Sequence, residues 1–80
     1  MISAVLIEPA AYRDIQRHQL EEQLKKVVRK LKSGVNAGVD LKKREPKSMN
    51  VWQFRITQKY RAYAKRNSDR LIVYAIDDHQ

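Results

Sequence analysis

Ten of the seventeen Lys and Arg residues fall between Leu41 and Arg70: Lys42, Lys43, Arg44, Lys47, Arg55, Lys59, Arg61, Lys65, Arg66 and Arg70. Only Glu45 and Asp69 oppose them in that window, so it carries the whole +8 formal charge of the chain. The seven basic and seven acidic residues elsewhere cancel. A field this localised attracts a polyanion, and nucleic acid is the first candidate. Arginine grips phosphate oxygens bidentately, lysine offers a point charge, and a tyrosine among them, Tyr63, can stack on a base. That chemistry needs the cations gathered on one folded surface. Their interleaving with aromatic and β-branched residues indicates that they lie on folded structure.

Other chemistries have less to build on. The chain has no cysteine, which excludes disulfides and thiolate metal sites. Its two histidines, His18 and His79, are far apart and belong to no spaced ligand motif, so no metal and no cofactor is expected. No apolar run approaches the roughly 20 residues that span a bilayer. The opening residues MISAVLIEPA lack a basic region and soon meet an acid and a proline, unlike a signal peptide. The expectation is one soluble, cytoplasmic domain over residues 1–80 with a thin core, since a chain of this length buries only roughly 60% of its unfolded surface.

Alternation of apolar residues predicts a strand over Ile2–Glu8, packed in a sheet or covered on both faces. Pro9 ends it and suits the first turn of a helix. From Ala10 to Lys32 the period is helical: Leu20, Leu24, Val27, Val28 and Leu31 form one stripe. The stripe weakens around Arg17–Gln19, leaving open one helix or two. Gly34 is a stop signal. Ser33–Met49 reads as a polar connection. The period then becomes two over Val51–Thr57 and Tyr60–Arg66, with a turn at Asn67-Ser68-Asp69 and an apolar strand, Leu71–Ile76, expected to be covered on both faces. The fold class is α+β: an N-terminal strand, one or two helices, then a three-stranded antiparallel meander, with the helices on one sheet face. They would cover Trp52, Phe54, Ile56, Tyr60, Ala62 and Ala64. The opposite face would show Gln53, Arg55, Arg61, Tyr63 and Lys65, rimmed by Lys42–Arg44, and would suit RNA or single strands better than a duplex groove. Lys42, Lys43, Arg44, Lys47, Tyr63 and Arg66 are the candidate RNA-binding residues.

The order β-α-(α)-β-β-β, with Trp52-Gln53-Phe54-Arg55, then Tyr60-Arg61, then Asp69 and Leu71–Ile76, resembles the RelE/ParE superfamily of toxin–antitoxin toxins across most of the chain. The resemblance implies a toxin of a type II system, neutralised by a cognate antitoxin protein. RelE-like members are metal-independent mRNA endoribonucleases (mRNA interferases) that act at the ribosome, driving a ribose 2′-hydroxyl onto the adjacent phosphate. By position, Arg61 matches the phosphate-stabilising arginine and Arg55 the second basic residue of the preceding strand. The first is Gln53 here, a departure. Lys65 is a further catalytic candidate from its face alone. The Arg and Tyr that many members carry after the last strand have no counterpart in Asp77-Asp78-His79-Gln80, where His79, with an unperturbed pKa near neutrality, is the candidate acid or base. Two alternatives are a ParE-like, gyrase-directed or non-catalytic member of the same fold, and a plain RNA-binding module. The last strand, if at a sheet edge, could accept a strand from a partner.

Overall fold

A computed structural model describes residues 2–35 and 38–78. Proline at the first helical position, with its φ already fixed, starts α1 (Pro9–Arg17) immediately after β1 (Ala4–Ile7). Two helices form, not one. The Leu20 amide donates to the Ile15 carbonyl (2.9 Å) while Gln19 adopts φ 56°, a left-handed turn that closes α1. Helix α2 (Glu21–Ser33) follows, with Glu21 and Glu22 in its first turn and Lys30 and Lys32 in its last, both matched to the helix dipole. It ends as the sequence indicates: Gly34 takes φ 80° and the Val35 amide reaches back to the Lys30 carbonyl (3.0 Å).

The expected polar connection contains a two-residue strand, β2 (Lys42–Lys43), and a 3₁₀ turn, Lys47–Met49. Strands β3 (Val51–Arg55), β4 (Tyr60–Asn67) and β5 (Arg70–Asp78) form the antiparallel meander. The full sheet has five strands in the order β1-β5-β4-β3-β2, with β1 parallel to β5. In the β3–β4 turn, Thr57 Oγ1 accepts from the amides of Lys59 (3.2 Å) and Tyr60 (3.1 Å), so β3 stops short of Thr57.

Both helices lie on one sheet face, as the apolar stripes require. Ala11, Ile15, Leu20, Leu24, Val27 and Leu31 share a core with Phe54, Ile56, Ala62, Ala64, Leu71 and Val73. Val39, in the segment before β2, is also fully buried there, and its carbonyl accepts the Arg55 amide (2.7 Å).

Three strand expectations are resolved. The first strand is packed in the sheet, the first of its two expected settings, and is not covered on both faces. It is an edge strand that turns Val5 and Ile7 toward the core and leaves Leu6 50% exposed. The last strand is interior, not an edge: it lies between β4 and β1, and β1 pairs with it over Arg70–Val73. Nor is it covered on both faces. Its unbroken apolar run comes from a bulge: Ala64 pairs with Val73 but Tyr63 with Ala75, so Tyr74 is an extra residue. Leu71, Val73 and Ile76 then face the helices, while Tyr74 and Ala75 both turn to the open face. No helix here is long and apolar enough to cross a membrane among the described residues.

Candidate nucleic-acid interface

The uncovered sheet face collects the cations by register. Arg55 stands opposite Arg61 across β3 and β4, and Arg61 stands opposite Asp77 on β5. One pleat step along the same face, Tyr63 lies between Gln53 and Ala75, and Gln53 is in turn opposite Lys42. Lys65 follows, between Val51 and Ile72. No described acidic side chain forms an ion pair with Arg55 or Arg61. Two half-buried arginines at opposed cross-strand positions, neither in an ion pair among the described residues, offer a phosphate two guanidinium groups to accept from.

The remaining sequence-predicted cations separate into distinct roles. Arg44 joins the open face, its guanidinium 5.2 Å from the Tyr63 ring centroid. Lys42 pairs with Asp40 (3.6 Å), and Lys65 Nζ donates to the Met49 carbonyl (2.8 Å), which ties the 3₁₀ turn to the sheet. Lys47 is exposed within that turn. Lys43 and Arg66 do not join the cluster. Lys43 is opposite Trp52 on the helix-side parity, and the two cations lie 5.8 Å and 4.7 Å from the Trp52 ring centroid. Arg66 Nε also donates to the Ser68 carbonyl (2.8 Å). These contacts engage both side chains with the Trp52 ring. Trp52 is half-buried and capped by cations, in contrast to the fully covered Phe54, and its Nε1 donates to Asn50 Oδ1 (3.0 Å).

Gln53, expected on the open face as an exposed side chain, is 5% exposed, hemmed in between Lys42 and Tyr63. His79 lies outside the described residues. His18, at the corner between the helices, shares a hydrogen bond with the Tyr60 hydroxyl (3.1 Å) and holds its ring 4.9 Å from the Tyr60 ring. Tyr60 thus points to the helix side while Arg61 points to the open face.

Two features escaped sequence reasoning. A cleft of about 320 Å³ opens on the charged face, where Arg44, Glu45, Pro46 and Met49 from the loop meet Tyr63 and Tyr74 from the sheet. Loop side chains have no periodicity to betray their direction, and Tyr74 reaches this face only through the bulge. Glu45 and Asp77 are the carboxylates that register and cleft bring to this face, so it holds proton acceptors beside its cations. A larger groove of about 480 Å³ lies on the other side, between β1 and the helices, lined by Val5, Ile7, Leu24 and Val28 with Lys25 and Arg29 at its rim. Tyr12, whose hydroxyl donates to Glu21 (3.3 Å), and Lys32 complete its lining. Among the described residues no three His, Asp or Glu side chains converge in a metal-binding cluster.

No protein-family model matches the chain, and no curated protein matches it. Solved structures do. A chain of the RelB-RelE antitoxin-toxin complex from Methanococcus jannaschii is 17% identical with a TM-score of 0.69, over 91% of this chain and 88% of that one. A chain of the heterotetrameric YoeB-YefM toxin-antitoxin complex from Staphylococcus aureus is 12% identical with a TM-score of 0.69, over 95% of each. The YoeB/ParE toxin from Agrobacterium tumefaciens is 21% identical with a TM-score of 0.65, over 96% of this chain and 99% of that one. Two helices on one face of a five-stranded, mostly antiparallel sheet, matched nearly end to end, give this chain the fold of the RelE, YoeB and ParE toxins.

Proposed function

We propose that the chain is the toxin of a type II toxin–antitoxin pair and a metal-independent endoribonuclease that cuts messenger RNA at the ribosome. The observation that carries this reading is the Arg55–Arg61 cross-strand pair on the open sheet face beside the β3–β4 turn, in a chain with a toxin fold, where neither side chain forms an ion pair among the described residues. Attack of a ribose 2′-hydroxyl on the neighbouring phosphate puts additional negative charge on the non-bridging oxygens of the developing phosphorane. Two fixed guanidinium groups stabilise that charge more than they stabilise the ground-state diester, which is the condition for lowering the barrier. The 2′-hydroxyl must also lose a proton and the departing 5′-oxygen gain one. Glu45 is the acceptor in the cleft beside the cations, and Lys65 and His79 are the other candidate acid–base groups.

The antitoxin would be an acidic, amphipathic partner. The groove beside edge strand β1 supports this: an apolar floor for a helix face or strand, rimmed by Lys25 and Arg29. The same fold in the YoeB/ParE toxin keeps a gyrase-directed reading as the alternative.

Controlled expression tests the proposal. Wild type should arrest growth and the Arg61→Ala variant should not, with message cut only in the wild-type culture. Arrest with intact message and Arg61→Ala equally toxic would move the function to the gyrase-directed alternative. Growth unaffected by soluble wild type would overturn the toxin reading.

A further inference from the structure

Tyr60 is the residue through which the β3–β4 turn closes. Its carbonyl accepts from the amides of Ile56 (3.0 Å) and Thr57 (3.2 Å), and its own amide donates to Thr57 Oγ1 (3.1 Å). Lys59 Nζ lies 5.5 Å from its ring centroid. From the helix side, its hydroxyl shares the 3.1 Å hydrogen bond with His18 Nδ1. Arg61 is the next residue of β4, so what fixes Tyr60 on one face fixes the backbone from which Arg61 leaves on the other. We propose that His18 is a positioning residue for the open face: through the Tyr60 hydroxyl it holds the end of β4 where Arg61, with Arg55 opposite, meets the phosphate. The inference rests on the ribonuclease reading and adds to it a residue that acts from the far side of the sheet.

Three observations support this role. The first is that this end of the sheet needs holding. Arg55 and Arg61 form the β3–β4 pair nearest the turn, and like charges set opposite each other push the strands apart. The ion pair that also ties the turn, Lys59 with Asp78 (3.7 Å), has side chains 57% and 39% exposed, and exposed pairs hold weakly. The second is that His18 stands on a rigid corner. It caps α1, its amide donates to the Asp14 carbonyl (3.0 Å), and on either side of it Ile15 and Leu20 are buried and joined by the Leu20 amide. The third is two-point geometry. The His18 and Tyr60 rings lie 4.9 Å apart and tilted by 33°, so ring contact and hydrogen bond together fix both the distance and the direction of Tyr60. Placement matters for the two guanidinium groups because charge stabilisation in a transition state is geometric: an error of about 1 Å can cost roughly 10²-fold in rate.

The test uses the full chain and two readouts, amide hydrogen exchange by NMR and single-turnover cleavage of a reporter message in a reconstituted translation system. His18 is exposed, so substituting it leaves the core intact. His18→Leu should speed exchange of the Ile56 and Thr57 amides by roughly 2- to 12-fold, the factor for one hydrogen bond. The Ser3 amide, bonded to the Asp69 carbonyl at the other end of β4 and β5, should exchange as before. Cleavage at saturating message should slow by at least roughly 2-fold, while affinity for a non-cleavable RNA changes by less than about 2-fold. Tyr60→Phe keeps the ring and should match His18→Leu in both readouts, and combining the two should add nothing further. His18→Asn, whose amide reaches the position of Nδ1, should behave as wild type. Cleavage unchanged in His18→Leu, whatever its exchange, would overturn the proposal and leave the ribonuclease reading standing. So would additive effects in the double variant, a His18→Asn variant as slow as His18→Leu, or faster exchange at both ends of the sheet, the mark of global destabilisation. An intact message with folded wild type would remove the ribonuclease reading and this inference with it.

Discussion

Arg55→Gln should make the protein more stable and a worse RNA binder at the same time. The register sets Arg55 directly opposite Arg61, which brings the Cβ atoms to about 4.5–5.5 Å. Like charges so placed destabilise a sheet by roughly 0.2–1 kcal/mol, with ionic screening moving the value toward the lower end. Arg61 has Asp77 on its other side as partial compensation, whereas Arg55, opposite no acid, has none. Removing the Arg55 charge therefore relieves repulsion alone and should raise the melting temperature by roughly 1–8 °C for a chain of this size. Removing the Arg61 charge loses repulsion and attraction together and should move it by less than about 2 °C. Each variant should lower the slope of log affinity against log salt by about 0.7 if its guanidinium holds one phosphate of a single strand. Thermal melts followed by circular dichroism at low salt, paired with binding of a non-cleavable oligonucleotide across a salt series, read both quantities. A melting temperature that falls in Arg55→Gln would refute the opposed-charge argument. An unchanged salt slope would refute the placement of phosphate on this pair.

Arg66→Ala should behave in the opposite way, lowering stability by about 0.5–1 kcal/mol through loss of the Trp52 stack, with a smaller loss of RNA affinity than Arg55→Gln. Urea denaturation and the same binding assay distinguish the two. Phe54→Ala removes a ring that is 1% exposed and should cost about 3–5 kcal/mol, leaving the chain close to unfolded at 37 °C in a thermal melt. Gln19→Gly should raise the melting temperature, because φ 56° costs an L-residue roughly 1–2 kcal/mol that glycine is spared; a lower value would contradict this account of the helix break. Asp69 is held below its ordinary carboxyl pKa of 3.8, first by hydrogen bonding from the Ser3 side chain and more weakly by Arg70. A lowered folded-state pKa stabilises the fold above pH 3.8, and that contribution fades as pH falls through the lowered value. In Ser3→Ala an NMR titration should show Asp69 moving back up; an unmoved titration would exclude Ser3 as the cause.

The alternation Trp52–Phe54–Ile56 against Gln53–Arg55 made the meander and its charged face legible, because a half-covered strand must place one sort of residue on each side. The helical stripe was equally plain, but its break was not: Gln19 closes α1 in a left-handed conformation without the glycine that would signal it. The strand β2 is two residues long and makes no pattern. The apolar run Leu71–Ile76 suggested cover on both faces because a bulge at Tyr74 places two successive side chains on one side and leaves no clean alternation to read. Within the site, Arg55, Arg61 and Tyr63 followed from period two. Lys43 and Arg66 were grouped with them by charge, but the parity of each strand directs them to Trp52. The cleft depends on where a loop folds back on the sheet, and composition alone does not encode that.

The central claim is that the open sheet face cuts RNA, and primer extension on a reporter message in a reconstituted translation system tests it most directly. Wild type should give discrete, ribosome-dependent cuts that end in 2′,3′-cyclic phosphate and disappear in Arg61→Ala. An intact message with folded wild-type protein would contradict the claim, and cuts that persist in Arg61→Ala would show that the chemistry lies on another surface.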